Sequence, residues 1–188
     1  MNIYHFSRTS SFEINQKIEL IKPYGATNKN SIFLDQFQSG LSQHGIRYIN
    51  QVLYPNTENS FNFSNQLLEY EFELVRRIYF PSSPSRFTSL FALKSLEHIN
   101  DWTPHLTKNY RVYELNVDIE PEEYDASFLC SFPSINKVNN ELYQAFDPLV
   151  NFDNAYQYWD KQISDTPQFE LLIDLNKTNV TVIKEIII

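Results

Sequence analysis

Two polar residues near the carboxyl end of the sequence share one face of a predicted strand. The segment Gln168-Phe169-Glu170-Leu171-Leu172-Ile173 alternates in polarity. Because side chains in a strand repeat every two residues, Gln168 and Glu170 are expected to point the same way. A carboxylate and an amide that project together from an otherwise apolar strand could form part of a site. The spacing equally fits an ordinary charge on a solvent-exposed strand face, so the pattern alone leaves both interpretations open.

Familiar contiguous active-site motifs are absent from the sequence. Only three glycines, Gly25, Gly40 and Gly45, occur in 188 residues, so no Gly-x-Gly-x-x-Gly motif can be formed. Gly40 and Gly45 have the spacing of a P-loop, but Ile46 and Arg47 stand where that loop needs Lys and Ser or Thr. His-Glu-x-x-His, Gly-x-Ser-x-Gly and the kinase signatures do not occur. An active site would therefore have to be assembled from separated segments.

Residues that bind metals are too scattered to predict a metal site. The single cysteine, Cys130, can form neither an internal disulfide nor a tetrathiolate zinc site, and we expect its thiol to be buried in an apolar strand. The acidic run at 118–125 lacks the glycine and the ligand spacing of an EF-hand loop. His98 and His105 have no cysteine nearby. We therefore expect no metal cofactor.

The elements that must position the candidate residues form a mixed pattern of helices and strands. Leu68, Phe72, Val75 and Tyr79 recur at steps of four, three and four, which predicts a helix after a Ser64 cap. Strands are predicted at 3–7, 86–92, 110–117, 126–132, 169–174 and 180–187, the last two as a closing hairpin. Further helices are predicted over most of 31–54 and at 93–102, 139–146 and 154–161, with a turn at 118–125. Together these predict an α+β fold and a single domain over residues 1–188.

Three short segments resemble the motifs of ADP-ribosyltransferases and occur in the order of that family. Gln168-Phe169-Glu170, with the strand, turn and Val-Thr-Val-Ile that follow, resembles the last motif, a Gln-x-Glu or Glu-x-Glu before a closing hairpin. Tyr4-His5-Phe6-Ser7 resembles the histidine form of the first motif. Phe87-Thr88-Ser89-Leu90-Phe91-Ala92 is similar to the middle Ser-Thr-Ser strand but lacks its first serine.

The chain as a whole also resembles a bacterial domain family of unknown function with the same fold. Four segments carry this likeness: Gly40-Leu-Ser-Gln-His-Gly45, Phe72-Glu-Leu-Val-Arg-Arg-Ile-Tyr-Phe-Pro81, Pro84-Ser-Arg86 and Ala155-Tyr-Gln-Tyr-Trp159. The two resemblances imply an ADP-ribosyltransferase-like split β-sheet core with surrounding helices.

The resemblance also implies a site for NAD. Breaking the bond between nicotinamide and ribose develops positive charge on the sugar, which a fixed carboxylate stabilises. Glu170 would supply that carboxylate, and Gln168 would orient the nucleophile. The implied NAD-binding residues are His5 at the adenosine-side ribose, Arg86 at the pyrophosphate, Thr88 and Ser89 at the nicotinamide end or at Glu170, Phe91 as the aromatic residue of the middle strand, and Tyr158 as a stacking ring. Structural alternatives remain open, namely a core histidine, a salt-bridged arginine and a core tyrosine.

Charge and hydropathy limit the partners. A net charge of −8 repels a phosphate polymer, so nucleic acid is disfavoured as a partner and a protein acceptor is favoured. The amino-terminal residues lack the apolar run of a signal peptide, and no stretch approaches 18 uncharged apolar residues, which predicts a cytoplasmic protein without a membrane segment.

The expected function is therefore ADP-ribosyl transfer from NAD to a macromolecular acceptor, or NAD hydrolysis, in a role such as a bacterial toxin or a phage-related effector. The alternative is a non-enzymatic interaction module on the same scaffold. Exposed aromatic residues would then form the surface for its protein partner, namely Tyr48, Tyr54, Phe61 and Phe63.

Overall fold

The computed structural model describes residues 2–7, 11–22, 34–53, 63–102, 110–130, 134–138, 141–145 and 147–187. These residues form two compact units. The first comprises Met1–Arg47, Pro84–Glu123 and Gln168–Ile188, and the second comprises Tyr48–Ser83 and Tyr124–Pro167. The expected single domain stays a prediction. Helices and antiparallel sheets are both present, which confirms the α+β class.

Strands and helices are interspersed along the chain. The strands are β1 Asn2–Ser7, β2 Lys17–Ile18, β3 Ser89–Ala92, β4 Arg111–Val117, β5 Glu122–Asp125, β6 Ser134–Val138, β7 Glu141–Ala145, β8 Phe169–Asp174 and β9 Val180–Ile186. The α-helices are α1 Gln43–Leu53, α2 Phe63–Tyr79, α3 Ile99–Trp102 and α4 Pro148–Trp159. Short 3-10 helices lie at Leu34–Phe37, Leu96–His98 and Ala126–Phe128. Within the described ranges, no helix has the length and apolar character needed to cross a membrane.

A backbone bridge connects two antiparallel sheets. One sheet has the strand order β1-β4-β9-β2, and the other has the order β3-β8-β5. Tyr4 of β1 and Leu93, just after β3, exchange backbone hydrogen bonds of 2.9 and 2.7 Å. These bonds link the middle of β1 in one sheet to the residue that follows β3 in the other.

The first unit buries its core between these sheets. Tyr113, Leu115 and Val117 lie on one face of β4, as their alternation predicts, and all three are buried. Leu90 and Ala92 of β3 and Leu171 and Ile173 of β8 belong to the same cluster. Because neighbouring residues in a strand point to opposite faces, Ser89, Phe91 and Glu170 project from the other face of the β3–β8 pair.

The second unit is built around α2 and α4. Leu68, Phe72 and Val75 are buried, which confirms the apolar stripe predicted for α2, whereas Tyr79 is 52% exposed. Trp159 at the end of α4 donates a 2.7 Å hydrogen bond from Nε1 to the carbonyl oxygen of Phe72. This bond and the surrounding aromatic rings hold the two helices together.

Several local predictions are wrong. Residues 122–125 form strand β5 rather than a turn, because Tyr124 is buried and stacks on Tyr158 with ring centroids 4.8 Å apart. Asp125 then ends that strand by accepting a 3.0 Å hydrogen bond from Ser127 N, so a 3-10 helix replaces the strand predicted from Ala126. Cys130 lies outside any strand and is exposed.

A predicted helix and a predicted hairpin are also wrong. Glu141–Ala145 is strand β7, paired with β6, rather than a helix. Val138 pairs with Glu141 across only two residues, and so short a connection is typical of a hairpin. The strands β8 and β9 are correctly placed along the chain, but they belong to different sheets and do not pair with each other. Each instead completes a sheet with a partner distant in sequence, which local pattern cannot reveal.

The glycine pair that resembles a P-loop packs the start of α1 against Phe87. Gly40 has a φ of +112°, which favours glycine, and it leads into Ser42. The backbone N–H of Ser42 donates to the carbonyl oxygen of Phe87 at 2.9 Å, and Ser42 Oγ accepts from Gly45 N at 3.1 Å, as a helix N-cap does. A Cβ atom at Gly45 would lie 2.3 Å from that same carbonyl oxygen. Both glycines thus lie where a side chain would collide with a neighbouring backbone oxygen.

We expect Gly45→Ala to destabilise the protein, because its new methyl group meets a backbone oxygen that cannot rotate away. The expected loss is about 2 kcal/mol of unfolding free energy, in the range of overpacked cores. Urea denaturation measures it, with Gln38→Ala at a nearby exposed position as the control. Equal midpoints for the two variants would show that α1 does not pack on Phe87 as described.

Candidate functional site

A buried ion pair lies on the outer face of the β3–β8 pair. Glu170 on β8 and Arg86, three residues before β3, are each 4% exposed and are joined by a hydrogen-bonded salt bridge between Oε1 and Nη1. Burying either charge alone would cost several kcal/mol, so each group makes the burial of the other tolerable. Arg86 is therefore beside the predicted catalytic carboxylate.

The ring of Phe91 packs against the arginine of this ion pair. Phe91 is opposite Leu172 in the β3–β8 register, and Leu172 is two residues from Glu170, so the Phe91 ring and the carboxylate share a face. The Arg86 guanidinium carbon lies 4.6 Å from the centroid of the Phe91 ring, which is cation–π geometry. The imidazole of His44, in the first turn of α1, also contacts the Phe91 ring at a centroid distance of 4.3 Å.

His5 joins the same cluster through the backbone of Phe91. Its Nδ1 is 2.6 Å from the carbonyl oxygen of Phe91. A carbonyl oxygen can only accept, so Nδ1 carries the proton and Nε2 is left with a lone pair. Burial lowers the pKa of His5 to about 4, opposed in part by the hydrogen bond to Phe91. At neutral pH His5 is therefore an uncharged ring whose Nε2 can accept a hydrogen bond.

The two hydroxyls of the middle strand lie at its far end. Thr88 is buried and its Oγ1 donates to the carbonyl oxygen of Ser85 at 3.3 Å. Ser89 is 0% exposed, and its Oγ has no hydrogen-bond partner among the described residues. Ser89 is opposite Asp174, four residues from Glu170, which places the two about 13 Å apart along the strands. Ser89 thus faces the same side as Glu170 but does not touch it.

Gln168 and Tyr158 each have contacts of their own. Gln168 precedes β8, and its Nε2 donates to the carbonyl oxygen of Asp101 at 2.7 Å, at the end of α3. Tyr158 belongs to the second unit, where it is fully buried and packs on Tyr124, Phe72 and Trp159. Tyr158 is therefore a core residue in this structure, which is the alternative that its helical spacing left open.

A surface pocket of about 310 Å³ lies elsewhere in the first unit. Polar residues of β2 and of the turn before β9 line it, among them Lys17, Glu19, Asn176 and Thr178. His5, Ser89 and Glu170 do not line this pocket. In the part of the chain that the structure describes, no three His, Cys, Asp or Glu side chains are grouped so as to hold a metal ion.

The chain belongs to the family described as a protein of unknown function, DUF2441, whose model matches residues 3–187. No curated protein matches the sequence. The match extends from β1 to β9, so it includes every element that contributes to the cluster around Phe91.

Two contacts of this cluster could not be predicted from the sequence. The pairing of Arg86 with Glu170 joins residues 84 positions apart, and nothing in their local patterns links them. The contact of His44 with Phe91 depends on how Gly45 brings α1 against the residues before β3.

Replacing one member of the buried pair should cost far more than replacing both. We expect Arg86→Met or Glu170→Leu alone to lose about 3 to 5 kcal/mol of unfolding free energy, because each leaves a buried charge without its counterion. The double variant should lose less than the sum of the two. Urea denaturation of all four proteins measures the coupling.

The matched control is the exposed pair Arg111–Glu185, whose charges are 3.6 Å apart. Arg111→Met with Glu185→Leu should give a much smaller coupling, because solvent screens exposed charges. Comparable couplings for the two pairs would contradict a buried, mutually dependent Arg86 and Glu170.

The lowered pKa of His5 makes stability depend on pH. The unfolded chain, with a pKa near 6.5, binds a proton more readily than the folded one, with a pKa of about 4. The contribution of His5 to stability is therefore complete above pH 6.5 and is lost as the pH falls toward 4, a total of about 3 kcal/mol.

Between pH 7 and pH 5 the loss due to His5 should be about 2 kcal/mol. His5→Asn should remove that part of the pH dependence, and His98→Asn should retain it. Unfolding free energies by urea denaturation at both pH values measure the difference. Parallel pH profiles for wild type and His5→Asn would show that His5 is not buried in its neutral form.

Proposed function

We propose that this protein binds NAD around Phe91 and transfers its ADP-ribose to an acceptor, with water as the acceptor in the hydrolytic case. One observation carries the proposal. The three segments that resemble ADP-ribosyltransferase motifs lie in one unit and converge on Phe91: His5 bonds its backbone, and Glu170 shares the face of its ring. We further propose that the two sheets joined at the Tyr4–Leu93 bridge are the split core of that fold.

Glu170 has the chemistry that the reaction needs. The C1′–N bond breaks with both electrons going to the ring nitrogen, so nicotinamide leaves uncharged and the ribose becomes an oxocarbenium-like cation. A carboxylate fixed beside this cation stabilises it more than it stabilises the substrate, which lowers the barrier. The acceptor then gives a lone pair to C1′ and loses its proton to solvent or to a base.

His5 suits the binding of a ribose hydroxyl. Its pKa of about 4 keeps the ring uncharged, and its Nδ1–H is occupied by Phe91. Nε2 can then accept a hydrogen bond from a hydroxyl group. Ser89 begins β3, and Thr88 directly precedes it. The Oγ of Ser89 could donate to a group of an extended dinucleotide. Gln168 would reach an incoming acceptor only by leaving the carbonyl oxygen of Asp101.

The acceptor in this proposal is a protein, since the net charge of −8 opposes approach of a nucleic acid. A role as a cytoplasmic effector or toxin of bacterial or phage origin follows from the resemblance and belongs to the same proposal. No NAD site is assigned to Tyr158, because its ring is covered on several sides within the second unit.

The second candidate is a non-enzymatic interaction module. The observation in its favour is that Arg86 already neutralises Glu170, as in a purely structural ion pair. Of the aromatic residues predicted for its partner surface, Tyr48 is partly buried, Tyr54 and Phe61 lie outside the described residues, and the side chain of Phe63 does as well.

NAD labelled in the nicotinamide ring separates the two functions. We expect the wild-type protein to release free nicotinamide, and Glu170→Gln to lower that rate by at least about 100-fold, because the amide cannot stabilise the cation. Glu185→Gln, at an exposed position on β9, is the matched control and should keep the wild-type rate. Circular dichroism confirms that each variant is folded. Intact NAD after prolonged incubation with candidate acceptor proteins would favour the interaction module.

A further inference from the structure

Arg86 occupies a site that is shaped for a planar cation. Its guanidinium is flat, delocalised and always charged. It lies over the Phe91 ring, 4.6 Å from the centroid, and bonds to the Glu170 carboxylate. A ring face and a carboxylate that meet at one point, both in a buried setting, are the two groups that recognise such a cation. The cation in this structure is a side chain of the protein itself.

We propose that Arg86 closes the NAD site from within, and that the oxidised nicotinamide ring of NAD must displace it. This inference rests on the proposed function, because it concerns the same Phe91–Glu170 site. The nicotinamide ring of NAD is also planar and positively charged. It can take the place of the guanidinium over Phe91 without leaving Glu170 buried and unneutralised.

Displacement gives Arg86 a new partner on the same ligand. The diphosphate of NAD offers oxygens that match the guanidinium fork, so Arg86 can exchange a carboxylate for a phosphate. Both ions of the protein then remain paired, one with the nicotinamide ring and one with the diphosphate. A ligand with only one of these two charges would compensate only one member of the Arg86–Glu170 pair, so it should bind more weakly than NAD.

The inference therefore predicts selection by the charge of the nicotinamide ring. NADH has the same diphosphate and nearly the same shape, but its dihydronicotinamide ring is uncharged. NADH should bind the wild-type protein at least about tenfold more weakly than NAD, as measured by isothermal titration calorimetry. Equal affinities for the two would overturn the proposed exchange of cations.

A second experiment isolates the cation site with a small probe, the 1-methylnicotinamide cation, which carries no phosphate. In the wild-type protein this probe must compete with the guanidinium of Arg86, whereas in Arg86→Met that competing group is removed. The variant should bind the probe at least about tenfold more tightly than wild type. Uncharged nicotinamide should show no such gain. Arg111→Met, which removes an exposed arginine, should bind the probe as the wild type does.

Circular dichroism checks that each Arg86 variant is folded before the titration. If Arg86→Met does not fold, Arg86→Lys retains a charge beside Glu170 but lacks the planar group that lies over Phe91, and it should bind the probe more tightly than wild type. No gain in either folded variant would overturn the inference.

Failures of the inference and of the proposed function are distinguishable. A gain in binding of the probe without any cleavage of NAD would retain the closed cation site and reject the chemistry. Cleavage of NAD by the wild type, without any gain in Arg86→Met, would retain the chemistry and reject closure by Arg86.

Discussion

The burial of Glu170 is the constraint on which the candidate site depends. A carboxylate that is 4% exposed requires a counterion, and Arg86 supplies it. The guanidinium in turn requires a surface on which its flat faces can lie, and Phe91 provides that surface. These three residues come from two neighbouring strands and the segment before one of them. Any change in the β3–β8 register would separate them, because a shift by one residue moves a side chain to the opposite face.

A contact between the two sheets adds His5 to this cluster. Tyr4 of β1 and Leu93, just after β3, exchange backbone hydrogen bonds, and the side chain of the next residue, His5, bonds to the carbonyl oxygen of Phe91. Burial keeps that imidazole uncharged, which leaves one charged pair and one neutral acceptor near the same aromatic residue. The core between the sheets, on the other face of β3 and β8, holds this arrangement rigid. One face of the β3–β8 pair thus contributes to the core, and the other face bears Phe91 and Glu170.

Local pattern predicts a large part of this fold. The alternation of Tyr113, Leu115 and Val117 identifies the buried face of β4, and the spacing of Leu68, Phe72 and Val75 identifies the buried face of α2. The errors fall where tertiary contacts decide. An acidic run becomes a strand because Tyr124 has an aromatic partner, and the final strands separate because each pairs with a strand distant in sequence. The site follows the same rule: the resemblance to ADP-ribosyltransferases selects His5, Phe91 and Glu170 as candidates, but the pairing of Arg86 with Glu170 appears only in three dimensions.

The most direct measurement is a crystal structure of the protein with an NAD analogue whose ribose ring oxygen is replaced by carbon, so that the glycosidic bond is not cleaved. We expect the nicotinamide ring to lie over Phe91, the ribose to lie beside Glu170 with a hydroxyl bonded to His5, and Arg86 to turn toward the diphosphate. An analogue bound at another place on the protein, with Arg86 still joined to Glu170 over Phe91, would contradict it.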